Sequence, residues 1–215
     1  DTPVWAFVVR SGALSVWVEP PSGGSRFVRC CFPGEFVGES SVLGSIDATC
    51  TATVRVQRAT TLWEFSGFQL RALVDQLPEL RTRLEHTQMR HRLDSFFSTG
   101  EATATLDVRD RDRLLSCFVG IHVTEPGETV VVAGSVPEVV YLFAEGRVET
   151  STRDTRQELT SSTFIGLRNA LHRVPMEFEW MAVEPSRLVV FDADKLRALA
   201  ASAPPEVVGV LESLE

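Results

Sequence analysis

The sequence has few residues of the kinds that build metal centres, disulfide frameworks or nucleophilic active sites. Its four cysteines form no C-x-x-C pair, and Cys30 and Cys31 are adjacent, so we expect reduced thiols that serve packing. The four histidines have no metal-ligand spacing. No Ser-His-Asp, Cys-His or paired-carboxylate arrangement can be proposed, so the sequence predicts a protein that is not an enzyme and has no metal site.

The chain also lacks long apolar runs and a surplus of positive charge. No stretch of 18 apolar residues occurs and Asp1 begins no signal-peptide pattern, so we expect a cytoplasmic protein without a membrane partner. The formal charge of −8 disfavours nucleic acid unless basic residues concentrate on one face. The main basic cluster is interpreted as a solvated helix face and consists of Arg81, Arg83, Arg90, His91 and Arg92. Since no helix-turn-helix follows, we expect no DNA partner.

What the sequence does contain is an internal repeat. The length of 215 residues suits two domains. Three blocks recur in the same order, and these are Pro3–Gly12 with Pro137–Gly146 (shift 134), Phe36–Gly38 with Phe164–Gly166 (shift 128) and Leu62–Leu73 with Leu188–Leu199 (shift 126). The repeat predicts a first domain over residues 1–97, a linker over 98–105 and a second domain over 106–215.

The stretch from Phe32 to Val56 carries the candidate binding site. A Pro33-Gly34 turn ends one strand, and Gly38-Glu39-Ser40-Ser41 then opens a short helix before a second strand begins. A glycine followed by a helix start is typical of phosphate-binding turns, because backbone N–H groups there face the ligand. The same order also describes an ordinary turn between two strands, and this stretch alone leaves both interpretations open.

The flanking segments decide between them. Residues 4–18 read as a strand, a turn at Ser11-Gly12 and a second strand, while Thr61–Phe65 is a strand leading into a helix capped by Ser66. A further helix is predicted over Glu79–Phe97. With the stretch Pro33-Gly34-Glu35-Phe36-Val37-Gly38-Glu39, this order resembles the cyclic nucleotide-binding domain family. The resemblance implies a mainly β fold with closing helices, built as two tandem β-rolls of the jelly-roll type.

The family opens with a helix and two strands. In the second copy we expect these over Asp110–Phe118 and Ile121–Ala133, with Asp192 capping a later helix and Pro204-Pro205 preceding the last one. In the first copy nothing in the sequence precedes the strand that begins near Val4, so this domain is expected to start late.

The resemblance also implies roles for residues. Glu39 takes the place of the family's glutamate, which holds the ribose 2′-hydroxyl, and Val37 replaces the usual phenylalanine. The position of the arginine that pairs with the cyclic phosphate falls on Cys50, and no arginine lies between Gly38 and Val54. Losing such a charged partner costs about 2–5 kcal/mol. The candidate ligand-binding set is Phe36, Gly38, Glu39, Ser40, Ser41, Cys50 and Thr51, with the N–H groups of residues 39–41 on the phosphate.

The second copy departs further from the family pattern. Leu167 replaces the glutamate and Met176 falls where the arginine belongs, while Arg168 and Arg173 are interpreted as surface residues. We therefore favour a non-catalytic regulatory or interaction module with degenerate or altered ligand specificity, which binds a protein partner or itself. The alternative is a cyclic AMP or cyclic GMP sensor that uses domain one and transmits binding through its C-terminal helix. No cofactor is expected apart from a cyclic nucleotide ligand.

Overall fold

The computed structural model describes residues 5–20, 23–43, 52–151, 156–159 and 162–214, and of Ser41, Leu43, Ser151 and Arg156 it describes the backbone alone. The strands are β1 (Trp5–Val18), β2 (Arg26–Cys31), β3 (Phe36–Val37), β4 (Thr53–Ser66), β5 (Phe118–Thr124), β6 (Thr129–Val131), β7 (Val139–Glu145), β8 (Val148–Ser151), β9 (Arg156–Glu158), β10 (Phe164–Ile165), β11 (Trp180–Ala182) and β12 (Ser186–Asp192). The helices are α1 (Glu39–Leu43), α2 (Gly67–Gln76), α3 (Pro78–Thr99), α4 (Val108–Leu115), α5 (Leu167–His172), α6 (Ala193–Ser202) and α7 (Pro205–Glu212).

The chain divides into two compact units, Asp1–Ala104 (unit 1) and Thr105–Glu215 (unit 2). In unit 1, β1 pairs with β2 and β3 and also with β4. In unit 2, one sheet has the order β10-β7-β12-β5 and a second has the order β6-β11-β8-β9. Helix α3 continues through Thr99, and both Ser98 and Thr103 are buried. The domain limits drawn from the sequence remain a prediction.

The strand registers repeat the sequence shifts. In unit 1 Val9 pairs with Leu62, and in unit 2 Phe143 pairs with Leu188, which are the same positions moved by 134 and 126 residues. The short strands agree as well, because Val8↔Phe36 matches Leu142↔Phe164 with shifts of 134 and 128. The structure therefore confirms the tandem repeat at the level of individual residue pairs.

Strand β1 differs from its predicted form. The sequence suggested a turn at Ser11-Gly12, whereas β1 is one continuous strand of 14 residues whose register with β4 shifts between Val9 and Leu14. Gly12 (φ 92°) supplies an irregularity inside the strand, and Thr60 Oγ1 accepts a hydrogen bond from the N–H of Ala13 at 3.1 Å. The prediction that Gly12 has an unusual backbone conformation is confirmed, and the prediction that a strand ends there is wrong.

Gly12 offers the first testable prediction. A Cβ at Gly12 would lie 2.3 Å from the Ala59 carbonyl oxygen, whereas a Cβ at Gly34 (φ 95°) would meet no atom within 4 Å. Both alanine substitutions carry the left-handed backbone penalty, but only Gly12→Ala adds overpacking, so we expect it to lower the free energy of unfolding by about 2 kcal/mol more than Gly34→Ala. Urea denaturation of the two variants measures this difference, and equal losses would contradict the close packing at Gly12.

The helix ends follow local sequence signals. Ser66 and Gln69 form a capping box at the start of α2, and the Asp192 side chain accepts from the N–H of Lys195 at 2.9 Å, as predicted for both caps. The predicted entry helix over Asp110–Phe118 is wrong at both ends, because Asp107 caps α4 and Phe118 already begins β5.

None of the described helices is long and apolar enough to cross a membrane.

The predicted reduced thiols are confirmed for three cysteines. Cys30, Cys31 and Cys117 are free, and Cys50 lies outside the described residues. Burial raises the pKa of the Cys31 thiol, and it raises the pKa of Cys117 to about 11. The thiols of Cys31 and Cys117 therefore stay protonated at neutral pH and pack as small apolar groups.

Candidate functional site

The predicted cradle is formed by the turn after β2, strand β3 and helix α1. The N–H of Gly34 donates to the carbonyl of Val9 at 2.8 Å, which ties the turn to β1. Gly38 (φ 82°) then brings the backbone close to β1, since a Cβ there would lie 2.7 Å from the carbonyl oxygen of Trp5. Glycine is required at this position for both reasons, and it directs the chain into α1 at Glu39.

Glu39, the central residue of the predicted site, is held by a histidine from helix α3. Its side chain is 3% exposed, and Oε1 lies 2.8 Å from Nδ1 of His91, which is itself largely buried. The Ser40 hydroxyl donates to the same carboxylate oxygen at 3.4 Å. The carboxylate that the family resemblance assigns to a ribose hydroxyl therefore already has a partner within the protein.

The Glu39 carboxylate remains ionised although it is buried. Burial alone would raise its pKa, but the hydrogen bond and charge of His91, a backbone N–H and the charge of Arg29 together lower the pKa below its ordinary value of 4.5. Arg29 lies on β2, and its Nε is buried without a hydrogen-bond partner among the described residues. Two basic side chains from different elements thus compensate one buried negative charge.

A pH dependence follows from the lowered pKa. A carboxylate with a pKa lower in the folded state than in the unfolded state stabilises the fold above its unfolded pKa, and this contribution disappears as the pH falls through the folded pKa. We therefore expect unit 1 to lose stability below about pH 4.5, and Glu39→Gln to lose less over the same interval. Urea denaturation between pH 7 and pH 3 tests this, and parallel curves for the two proteins would contradict it.

The other predicted site residues have different outcomes. Phe36 is partly buried and packs on the cluster of Val42, Leu70 and Leu84, so it anchors the cradle to α2 and α3. The backbone of Ser41 lies in α1. Cys50 and Thr51 fall outside the described residues. The structure thus brings Phe36, Gly38, Glu39 and Ser40 together and leaves the position of the family's arginine undescribed.

Two residues of this site were missed by sequence reasoning. His91 was assigned to a solvated helix face, which is wrong, because it faces Glu39. Its position seven residues after the buried Leu84 would have placed both on one helix face. Arg29 was missed because the search for an arginine followed the family position after Gly38, whereas this cation comes from the strand before it.

The matching site in unit 2 is filled with apolar side chains. Gly166 (φ 78°) repeats the backbone turn of Gly38, but the next residue is Leu167, which is 1% exposed. Met176 is buried in the core cluster with Val131, Phe143 and Ile165. A Cβ at Gly166 would already lie 3.4 Å from the Met176 sulfur. An anion bound at this position would be desolvated, and neither Leu167 nor Met176 would offer it a positive charge in return.

Arg168 is exposed on α5, and Arg173 is exposed at the C-cap of this helix. Arg168 lines an open depression of about 320 Å³ together with Asn169, His172 and Val174. His172 Nε2 lies 3.2 Å from a Glu212 carboxylate oxygen, and Arg173 is 3.9 Å from Asp194. Arg168, His172 and Arg173 therefore lie at the surface, whereas Leu167 of the same helix is buried. Within the described ranges, no group of three histidine, cysteine or carboxylate side chains has the geometry of a metal site.

Comparison with known proteins gives a family match and several distant structural likenesses. The family described as "Cyclic nucleotide-binding domain" matches residues 2–77 and 121–203, about three quarters of the chain. The regulatory domain of Toxoplasma gondii PKA with cAMP is 20% identical, with 99% of this chain and 78% of that chain covered and a TM-score of 0.49. The guanosine-bound regulatory subunit of a cAMP-independent protein kinase A from Trypanosoma cruzi is 20% identical over 95% and 68% of the two chains, with a TM-score of 0.47. Because these TM-scores lie below 0.5, the assignment rests on the family match alone.

Proposed function

The chain belongs to the cyclic nucleotide-binding domain family, and from this premise we propose that it is a non-catalytic regulatory and interaction module. Its two nucleotide-binding cassettes, residues 36–41 in unit 1 and residues 164–169 in unit 2, are both degenerate. Unit 2 has an apolar plug in place of the cassette's charged residues. Unit 1 keeps the glycine and the glutamate of its cassette but uses the glutamate inside the protein. The module then acts through contacts with a protein partner or with itself.

The contact between Glu39 and His91 carries this proposal. To use Glu39 as the family does, a ribose hydroxyl must share the buried carboxylate with His91, which already contacts Oε1 at 2.8 Å, or displace His91. Because Glu39 is buried, the displaced carboxylate would need a complete replacement for that partner. The absence of an arginine between Gly38 and Val54 removes the charged contact that compensates such a cost in the family pattern. Both effects weaken nucleotide binding.

A working sensor in unit 1 remains the second candidate, and one observation favours it. Arg29 places a cation near Glu39, and its Nε is buried without a hydrogen-bond partner among the described residues. In this alternative, Arg29 contacts the phosphate, and a ribose hydroxyl replaces His91 as the hydrogen-bond partner of Glu39. Helix α3 then changes its position because His91 no longer contacts Glu39. Arg29→Met tests this alternative, because a sensor would lose the stabilisation by nucleotide that the unmodified chain shows, whereas the proposed module shows no such stabilisation in either form.

A thermal shift experiment tests the proposal. A ligand with a dissociation constant of 1 μM, present at 1 mM, would stabilise unit 1 by about 4 kcal/mol. For a unit of this size, that corresponds to an increase in Tm of more than about 10 °C. We expect cyclic AMP, cyclic GMP, adenosine and guanosine at 1 mM each to change the Tm by less than about 1 °C. A large shift with any of them, lost in Glu39→Ala and kept in Leu167→Ala, would establish the sensor instead.

A further inference from the structure

One buried hydroxyl in unit 2 is explained by neither cassette. Thr150 on β8 is 1% exposed, and its Oγ1 has no hydrogen-bond partner among the residues that the structure describes. Buried polar groups are nearly always hydrogen-bonded, because a hydroxyl that is removed from water without a replacement destabilises the fold. The Thr150 hydroxyl therefore lowers the stability of the unit unless a partner reaches it.

Thr150 faces the interior of the β-roll. Side chains alternate along a strand, so Thr150 lies on the same side of β8 as Val148, whereas Glu149 lies on the opposite side. Val148 belongs to a core cluster that joins the two sheets of unit 2, because Phe143 and Leu188 of the same cluster come from the other sheet. The Thr150 side chain therefore lies between the two sheets.

Unit 1 shows that the fold does not need this hydroxyl. Two cross-strand pairs identify Val16 as the matching residue, and these are Thr150↔Trp180 with Val16↔Val54, and Thr150↔Gln157 with Val16↔Arg29, at the shifts of 134, 126 and 128 residues. Val16 is buried in the core cluster of unit 1. Because valine has the shape of threonine without the hydroxyl, it fills this position and leaves no polar atom unpaired.

The interior of the unit 2 roll has an apolar and aromatic lining. Four side chains pack against the core cluster and are partly exposed, and these are Val130, Tyr141, Leu159 and Trp180. Trp180 is also the cross-strand neighbour of Thr150. Aromatic and aliphatic side chains around a single polar group are typical of sites that bind small apolar molecules.

The charges that unit 1 places in its roll are missing from the matching positions of unit 2. Gln157 stands where unit 1 has Arg29, and Leu167 stands where unit 1 has Glu39. A charged ligand would therefore be desolvated without receiving an opposite charge from either position. An uncharged ligand does not need such a charge, and a polar group on it can pair with the Thr150 hydroxyl.

We propose that the roll of unit 2 binds an uncharged aromatic molecule, whose ring lies beside Trp180 and Tyr141 and whose polar group is hydrogen-bonded to Thr150 Oγ1. The hydroxyl can accept a hydrogen bond from an N–H group of this ligand. The site uses the sheets of unit 2 and not its cassette. It rests on the proposed function in one respect, namely that the cassette of unit 2 binds no cyclic nucleotide.

The test compares indole with indene, which has the same fused rings but no N–H group. NMR titration of the full chain, labelled with ¹⁵N, follows the backbone amides of Thr150, Trp180 and Tyr141. We expect saturable shifts with indole, and a dissociation constant for indene that is about threefold to tenfold higher, because indene cannot form the hydrogen bond. The absence of saturable shifts with indole overturns the proposal, and so does equal affinity for the two compounds.

Thr150→Val provides the matched variant. It removes the hydroxyl and keeps the shape, so indole and indene should bind it with equal affinity, and its Tm should equal or exceed that of the unmodified chain. A decrease in Tm of more than about 3 °C would mean that the hydroxyl already has a partner in the folded chain, such as a buried water, and would overturn the proposal. Thr129→Val, at an exposed threonine on β6, should leave the ratio of the two affinities unchanged.

Cyclic AMP at about 1 mM separates this proposal from the proposed function. We expect no shift of the same three amides with cyclic AMP. If cyclic AMP and indole both shift them, the proposed function fails and the ligand site stands. If neither compound shifts them, the ligand site fails and the proposed function stands, and a shift with cyclic AMP alone contradicts both.

Discussion

Replacing His91 with alanine is expected to lower the free energy of unfolding of unit 1 by about 3 kcal/mol. The substitution removes the hydrogen-bond partner of Glu39 and leaves a carboxylate that is 3% exposed without its main compensation. Removing one partner of a buried ion pair typically costs about 3–5 kcal/mol, because the other charge stays buried. Arg29 retains part of the compensation, so the lower end of this range is expected.

A double-mutant cycle isolates the contact. Glu39→Gln should cost less than His91→Ala, because the amide can still form a hydrogen bond with the imidazole. The loss in the double variant should fall short of the sum of the two single losses by about 1–3 kcal/mol. Urea denaturation of the four proteins gives the coupling energy, and additivity within about 0.5 kcal/mol would contradict the contact. Arg92→Ala, at the exposed neighbour on α3, serves as the control and should change stability by less than about 0.5 kcal/mol.

Restoring the family's glutamate in unit 2 is expected to disrupt the unit. Leu167 is 1% exposed and stands where unit 1 has Glu39. Leu167→Glu would bury a carboxylate next to Gly166, whose backbone lies close to Met176 of the apolar core. A loss of about 4 kcal/mol or more is expected, because an unpaired buried charge is among the most costly single changes.

The control for this change is Leu167→Met, which keeps the volume and the apolar surface and should cost less than about 1.5 kcal/mol. Three of the four tryptophans lie in unit 1, so hydrogen exchange of the unit 2 amides in urea is used to follow the unfolding of unit 2 alone. If Leu167→Glu retained the stability of the unmodified chain and gained affinity for a cyclic nucleotide, the interpretation of a sealed second cassette would be wrong.

Much of the fold could be predicted from the sequence because the repeat fixes equivalent positions. The three shifts found in the sequence reappear in the pairing of β1 with β3 and β4, and in that of β7 with β10 and β12. Ser66 and Asp192 were predicted as helix caps because short polar side chains accept hydrogen bonds from backbone N–H groups at these places. Local chemistry was sufficient for these features.

The site was less predictable because it depends on contacts between distant segments. Glu39 and His91 are 52 residues apart, and only the packing of α1 against α3 brings them together. The basic residues around His91 suggested a solvated face, although a helix can carry one inward polar residue among exposed arginines. Arg29 shows the same limit, since its effect on Glu39 depends on how β2 lies beside the cradle.

The proposed function requires that the cassette of unit 1 be closed by its own histidine and that the cassette of unit 2 be filled. Calorimetric titration of the intact chain with cyclic AMP and with cyclic GMP at moderate salt tests it most directly. We expect no heat of binding up to millimolar ligand. Micromolar binding that Glu39→Ala abolishes would contradict it, because the ribose would then displace His91 in spite of the missing arginine.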